Sequence, residues 1–265
     1  MKTPRGALDI LEEAVHLLRL VPVSTLLIYY IGTLPFILGL LYFWTDMSRA
    51  ANADRYLPEA ALAVSLLYIW MKSWQSGFAS NLLSRLLESP APRFSLRRCL
   101  RIVSIQMILQ PYSLFIFPAS VFLAMLPFGW ALAYFQNAVV FGNGEDFSLR
   151  NISRRSWQNA CLWPGQNHVL LLALLLFTFV VFLNVTSVLI ILPQLLKMLF
   201  GIETLFTLSG MHVLNTTFFA VSAGVTYLII DPLIAVIYTL RCFYGESIES
   251  GADLVAELKG FAGPS

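Results

Sequence analysis

The sequence predicts an all-α protein, a polytopic transmembrane helical bundle of about six spans with interfacial helices beside it. Three observations predict this fold class. Hydrophobic residues make up 58% of the 265-residue chain and charged residues only 12%, whereas about a quarter of a soluble domain is charged. The mean hydropathy is +0.73. Several apolar runs reach the roughly 20 residues that a helix needs to cross the hydrocarbon layer. So much apolar surface requires contact with lipid.

The first segment, residues 1–20, is predicted to be a cytoplasmic amphipathic helix rather than a cleaved signal peptide. Apolar residues recur at helical spacing from Leu8 to Leu18. Acidic residues interrupt the stretch that would form the apolar core of a signal peptide. Two interpretations of the helix over residues 6–19 stay open. It either lies on the membrane surface or extends the first span into water.

A membrane domain is predicted over residues 21–242, followed by a cytoplasmic tail at 243–265. Apolar runs of sufficient length predict single spans at residues 21–44, 60–82, 169–192 and 214–240. The segment that follows Pro193 is predicted to lie on the membrane surface or to dip partly into it.

Residues 102–142 form the longest mostly apolar region, and Leu-Pro-Phe-Gly at 126–129 breaks it near the middle. The region is too long for one span, so we expect two tightly joined spans. Its second half, residues 128–142, is short enough to form a re-entrant segment instead.

Orientation follows from the distribution of lysine and arginine. Six spans would place thirteen of these residues on one side and three on the other, which predicts a multi-pass membrane protein with both termini in the cytoplasm. The net charge of +2 is too small to indicate nucleic-acid binding. A set of arginines is expected to fix the topology and to contact lipid headgroups, namely Arg93, Arg97, Arg98, Arg101, Arg150, Arg154 and Arg155.

The last apolar run contains an acid followed by a proline, Asp231 and Pro232, ten residues before Arg241. If Arg241 marks the headgroup level, the carboxyl lies about 15 Å deeper. An ionised acid at that depth costs about 2.5–3.5 kcal/mol or more. It should therefore be neutral, paired or hydrated.

Three interpretations of Asp231 stay open. It pairs with Lys72 of the second predicted span; or it caps a helix that restarts at Pro232, accepting from the amide of Leu233 or Ile234; or it forms a polar working site with Lys72 and Gln75. Lys72 has its own alternative, in which its amine snorkels to the headgroups.

The sequence lacks the usual motifs of nucleotide, metal or acyl-transfer chemistry. The histidines are isolated, and the odd number of cysteines without a Cys-x-x-Cys pair argues against a zinc site. Cys99, Cys161 and Cys242 are expected to be inert thiols. The chain is therefore predicted to have no cofactor and no metal site, and a role without catalysis is favoured.

A family resemblance lies in the C-terminal stretch DPLIAVIYTLRCFYGESIESGADLVAEL, residues 231–258. Pro-Leu, then Thr-Leu, then Gly-x-Asp-Leu are its shared features, carried by Pro232, Leu233, Thr239, Leu240, Gly251, Asp253 and Leu254. The segment SLRNISRRSW before a long span is similar as well. The stretch resembles the bacterial glycerophosphodiester phosphodiesterase membrane-domain family. It departs from that family where CFYGESI replaces an aromatic-Asp-Leu-Arg-x-Arg run.

The resemblance implies a membrane domain without the soluble barrel that carries phosphodiesterase activity. It also implies a role beside other membrane proteins. We therefore expect a non-catalytic partner or scaffold of a bacterial membrane assembly, in contact with membrane lipids and other membrane proteins. The alternative is a transporter of a small molecule or lipid with a polar intramembrane site near Asp231.

Overall fold

The structure is a computed structural model that describes residues 6–49, 53–90, 95–122, 128–146, 148–203, 207 and 215–251. The described residues form α-helices and no strand, which confirms the all-α prediction. The helices in chain order are α1 Ala7–Leu20, α2 Val23–Arg49, α3 Ala53–Leu86, α4 Leu96–Leu109, α5 Pro111–Phe122, α6 Phe128–Phe141, α7 Leu149–Cys161, α8 Pro164–Phe200 and α9 Thr216–Ser250.

Polar side chains begin several of these helices. Ser95 accepts a hydrogen bond from the backbone of Arg98 at the start of α4, and Ser148 does the same for Asn151 at the start of α7. Such caps satisfy amides that have no partner within the helix. The longest helix, α8, ends at Gly201, which has a φ of 66°. Glycine adopts this left-handed conformation without the strain that a Cβ would add.

Four of the described helical segments are long and apolar enough to cross a membrane: Val23–Ser48, Leu96–Ile116, Pro164–Phe200 and Thr216–Ile248. The prediction of about six spans is not confirmed. Helix α3 has 34 residues, but its composition is less apolar than that of a span. Helix α6 has only 14 residues, which is about 21 Å against the roughly 30 Å of the hydrocarbon layer.

The region predicted to be a hairpin, residues 102–142, contains parts of three helices. Helices α4 and α5 follow each other with only Gln110 between them. Helix α6 runs antiparallel to them, since Gln106 bonds to the carbonyl of Ala138 and Gln110 to that of Phe135. Of the predicted break at 126–129, residues 126 and 127 lie outside the described residues, and the other two begin α6. The two segments are thus neighbours, although α6 is too short for a full span.

Prolines lie inside all four of the longest helices without ending them: Pro35 in α2, Pro58 in α3, Pro193 in α8 and Pro232 in α9. The segment after Pro193 is not a separate surface helix, because α8 continues through this residue to Phe200. A proline inside a helix leaves the carbonyl four residues earlier without its usual donor. Side chains supply that donor in two cases. Trp70 donates to Ile31, four residues before Pro35 of α2, at 3.2 Å.

Helix α1 is separate from α2, because Val21 is extended between them. It packs against α8 and α9, with Ile10 and Ala14 buried in the largest apolar cluster of the described residues. The interpretation of α1 as an extension of the first span is therefore wrong. The cluster also contains residues of α2, α3 and α9 such as Phe78 and Val236.

Of the described helices, α2 and α3 make the most extensive contact with each other. At Gly32 an added Cβ would come within 2.4 Å of the Cβ of Trp74, so glycine is required for this approach. Close helix contacts at small residues are typical of membrane proteins. The pair positions the side chains that meet α9.

Candidate functional site

Asp231 of α9 lies where three helices meet, and its side chain is 5% exposed. The Tyr29 hydroxyl of α2 donates to Oδ2 of the carboxylate. Nε2 of Gln75, from α3, donates to the same oxygen at 2.7 Å. Both donors are buried. A carboxylate in an apolar interior is costly unless it is hydrogen-bonded, and here two neighbouring helices provide the bonds.

Lys72 joins this cluster through Gln75 rather than directly. Its Nζ donates to Oε1 of Gln75 at 2.9 Å and lies 5.7 Å from the centroid of the Tyr68 ring. The predicted direct contact with Asp231 is thus replaced by a bridge, and no ion pair joins these two described residues. The snorkelling alternative is wrong, because Lys72 is buried and bonded to Gln75. We call Tyr29, Lys72, Gln75 and Asp231 the central polar cluster.

Helix α9 runs unbroken through Pro232, so the interpretation of Asp231 as a cap of a restarted helix is wrong. Pro232 has no amide hydrogen and leaves the carbonyl of Leu228 free. The Tyr30 hydroxyl donates to this carbonyl at 3.2 Å. Two adjacent tyrosines of α2 therefore donate to α9: Tyr29 to the carboxylate of Asp231, and Tyr30 to the carbonyl that Pro232 leaves free.

A groove of about 580 Å³ lies between α8 and α9, and Asp231 forms part of its wall. The other lining side chains are mostly apolar, including Leu175, Phe179 and Ile230. Asp231 therefore bonds α2 and α3 through its carboxylate and is also one of the residues that line an apolar groove. Binding sites commonly combine apolar walls with a small number of polar groups.

A second group of buried polar side chains surrounds Arg241, the residue used above as a possible marker of the headgroup level. Its side chain is 4% exposed and donates to Oδ1 of Asn167 and to the carbonyl of Leu162. Asn167 also accepts from Tyr238 at 3.1 Å and donates to the carbonyl of Gly129 at 2.9 Å. Arg241 therefore bonds other segments inside the protein and is not exposed to lipid headgroups.

The arginines predicted to contact lipid fall into different environments. Arg98 donates to the carbonyl of Asn143 and to Ser80, and Arg155 pairs with Glu246 at 3.0 Å. Protein groups thus engage these arginines. The exposed members are Arg97, Arg150 and Arg154, with Arg101 half-buried, and Arg93 lies outside the described residues. Headgroup contact stays a prediction for the exposed members.

The three cysteines differ in exposure: Cys99 is half-buried, Cys161 is exposed and Cys242 is buried. Within the ranges that the structure describes, no group of three or more His, Cys, Asp or Glu residues could hold a metal ion.

Sequence reasoning identified Asp231, Gln75 and Lys72, which the structure brings together, but it missed Tyr29, Tyr30 and Asn167. The signal for the tyrosines was their place inside an apolar run rather than at its end. Asn167 gave no signal, because one asparagine near a helix start usually reads as a cap.

The described part of the chain thus defines an all-helical protein with four segments that fit a membrane span and a polar cluster between helices. Comparison with family models, with curated proteins and with solved structures finds no match. The resemblance at residues 231–258 accordingly stays an expectation.

Proposed function

We propose that this chain is a non-catalytic, multi-span protein of a bacterial inner membrane that acts as a partner or scaffold in a membrane assembly, with both termini in the cytoplasm. Membership of the family that residues 231–258 resemble is part of the proposal. The observation that carries it is the bonding of the central polar cluster, whose side chains use one another as partners.

A transport or catalytic site requires polar groups that are free to meet a substrate. In the central polar cluster, Lys72 bonds Gln75, and both Gln75 and Tyr29 bond Asp231. Hydrogen bonds between membrane helices hold the helices in one arrangement. The cluster therefore supports a framework in which α2, α3 and α9 are locked together.

The surface of α8 supports contact with other membrane components. Only Asn167, Leu170 and Leu174 of this helix are buried, all in its first third. From Leu175 to Phe200 most of its large apolar side chains are exposed. A long apolar helix that packs on its own chain at one end offers the remainder to lipid and to neighbouring membrane proteins.

The experiment is to solubilise the native membrane in mild detergent and to measure the mass of the complex that contains the chain. We expect a defined complex larger than the 29.7 kDa chain plus its detergent, with a second membrane protein in fixed ratio. A monodisperse single chain under several mild detergents would contradict the proposal.

A transporter with a polar site near Asp231 is the second candidate, because the groove between α8 and α9 reaches the carboxylate. Asp231→Asn separates the two functions, with the exposed Glu12→Gln as a matched acid-to-amide control. A framework role predicts reduced abundance of Asp231→Asn in the membrane. Normal abundance combined with the phenotype of a deletion strain would favour transport.

A further inference from the structure

A second groove, of about 510 Å³, lies where α4 and α5 meet α6 and α7. We call it the aromatic groove, because rings form much of its wall: Tyr112, Trp130, Tyr134, Phe135 and Trp157. Its volume falls within the about 300–1,000 Å³ of sites that bind small molecules. Tryptophan and tyrosine are also the side chains that favour the level of the lipid headgroups. Its described wall contains no residue of the central polar cluster.

One wall of the aromatic groove belongs to a segment that fits a membrane span. Tyr112 and Ile116 of α5 line the groove and lie within the segment Leu96–Ile116. Both are exposed, and Phe115 beside them is 76% exposed. Apolar surface of this kind is stable in hydrocarbon and unfavourable in water. This wall therefore favours an apolar chain as occupant.

Another wall belongs to α7, which carries two arginines without a partner among the described residues. Ser153 and Trp157 of this helix line the groove. Arg150 lies three residues before Ser153, and Arg154 three residues before Trp157, so these four residues share one face of α7. Both arginines are exposed, and neither forms a hydrogen bond or an ion pair there, whereas Arg155 pairs with an acid. Two such cations beside the groove favour an anionic group.

A pair of hydroxyls joins the α6 and α7 walls. Tyr134 and Ser153 bond each other at 2.9 Å, and either oxygen could be the donor. In both arrangements the accepting hydroxyl keeps its own hydrogen, so the pair retains one donor. The ester carbonyl of a phospholipid is an acceptor that this donor can bond.

We propose that the aromatic groove binds an anionic phospholipid, with its phosphate at Arg150 and Arg154 and one acyl chain against the aromatic wall. The apolar wall, the hydroxyl pair and the arginines each match one part of that molecule: chain, ester and phosphate. Exposed arginines are unfavourable in hydrocarbon and exposed apolar rings in water. A groove that borders both therefore belongs at the boundary where phospholipid headgroups lie.

Charge excludes two other occupants. Aromatic rings also bind quaternary ammonium groups, but Arg150 and Arg154 would repel such a cation, and the described wall contains no acid to hold it. A soluble phosphate would engage the arginines and leave the apolar wall unfilled. The inference requires only that the chain lies in a membrane, and it is independent of the partner role proposed above.

The test counts phospholipids bound to the full-length protein by native mass spectrometry after release from a neutral detergent. The probes are dioleoyl phosphatidylglycerol, which is anionic, and dioleoyl phosphatidylcholine, which has the same chains and no net charge. We expect phosphatidylglycerol to bind about tenfold to thirtyfold more tightly, since each arginine contributes about fivefold near an anionic headgroup. Glycerol phosphate, which has no acyl chain, should not displace the bound phospholipid.

Two double variants with the same loss of charge assign the headgroup. Arg150→Gln with Arg154→Gln should reduce the affinity for phosphatidylglycerol to that for phosphatidylcholine. Arg19→Gln with Arg97→Gln changes two exposed arginines that do not line the groove, and it should preserve the preference.

A groove-filling variant assigns the acyl chain. Ala131 lines the groove, so Ala131→Phe should abolish saturable binding of phosphatidylglycerol. Ala63→Phe, on an exposed surface of α3 outside the groove, should preserve it. Both variants must unfold at the temperature of the unmodified protein, and Ala131→Leu replaces Ala131→Phe if that variant fails to fold.

Several results would overturn the inference. These are phosphatidylcholine binding as tightly as phosphatidylglycerol, a preference that survives the change of Arg150 and Arg154, or binding that Ala131→Phe leaves unchanged. Equal loss of preference in the Arg19 and Arg97 variant would show attraction by overall charge instead of a site. Displacement by glycerol phosphate would show an anion site in which the acyl chain has no part. The mass of the native complex in mild detergent tests the partner role separately.

Discussion

Lys72 and Asp231 should be energetically coupled although they do not touch. Asp231→Ala removes two hydrogen bonds, from Tyr29 and Gln75, each worth about 0.6 kcal/mol in a membrane protein. It also leaves the buried Lys72 cation without a counter-charge, which costs about 2.5–3.5 kcal/mol. We therefore expect a loss of about 4 kcal/mol in the free energy of unfolding. Lys72→Met leaves an unbalanced carboxylate and should lose about 3 kcal/mol for the same reason.

The double variant Lys72→Met, Asp231→Ala has no unbalanced charge and loses only hydrogen bonds. It should lose about 2 kcal/mol, less than either single variant. The measurement is equilibrium unfolding of the purified protein in mixed micelles, followed by the fluorescence of its six tryptophans.

A matched pair serves as the control for this coupling. Lys72→Met combined with Tyr134→Phe, in which the tyrosine bonds Ser153 instead, should be additive within about 0.5 kcal/mol. If the losses of Lys72→Met and Asp231→Ala also add, the two charges do not compensate each other and the bridging role of Gln75 is refuted.

Three further predictions use the same unfolding measurement. Tyr30→Phe should lower the free energy of unfolding of the natural chain by about 0.6–1.7 kcal/mol. In a chain that also carries Pro232→Ala, the same substitution should change it by almost nothing, because alanine restores the helical donor. Equal losses in both backgrounds would contradict the role of the tyrosine hydroxyl. Gly32→Ala should lose about 1–3 kcal/mol through overpacking, because its Cβ would lie 2.4 Å from a tryptophan Cβ, whereas Gly165→Ala meets nothing within 4 Å and should lose nothing. Arg241→Met should lower the free energy of unfolding by at least about 1 kcal/mol, since the carbonyl of Leu162 loses its side-chain donor and Oδ1 of Asn167 loses one of its two. An unchanged or increased stability would show that burying the charge costs at least as much as its bonds contribute.

Composition was sufficient to predict the helical class, because apolar excess on this scale is compatible with few other folds. The number of spans was less accessible. Hydropathy treats each segment alone, whereas α3 mixes exposed apolar residues with buried Lys72 and Gln75. Polar residues that bond neighbouring helices lower the mean hydropathy of their segment, although their side chains are buried.

The candidate site was predicted in part for a similar reason. A charged residue in an apolar run is conspicuous, so Asp231 and Lys72 could be found without a structure. Whether Asp231 caps a helix or bonds a neighbour depends on the continuity of α9. That continuity is aided by a hydroxyl from α2, that of Tyr30, at the carbonyl that Pro232 frees. No local pattern around Asp231 contains that information.

The length of α8 has a consequence for how the chain sits in its membrane. Its 37 residues measure about 55 Å, nearly twice the thickness of the hydrocarbon layer. To place the whole helix within the hydrocarbon layer would require a tilt from the bilayer normal of more than about 50°, outside the usual range of about 0–40°. At least one end of this helix should therefore extend beyond the hydrocarbon layer, so that α8 links the Asn167–Arg241 contact near its start to a segment about 50 Å away.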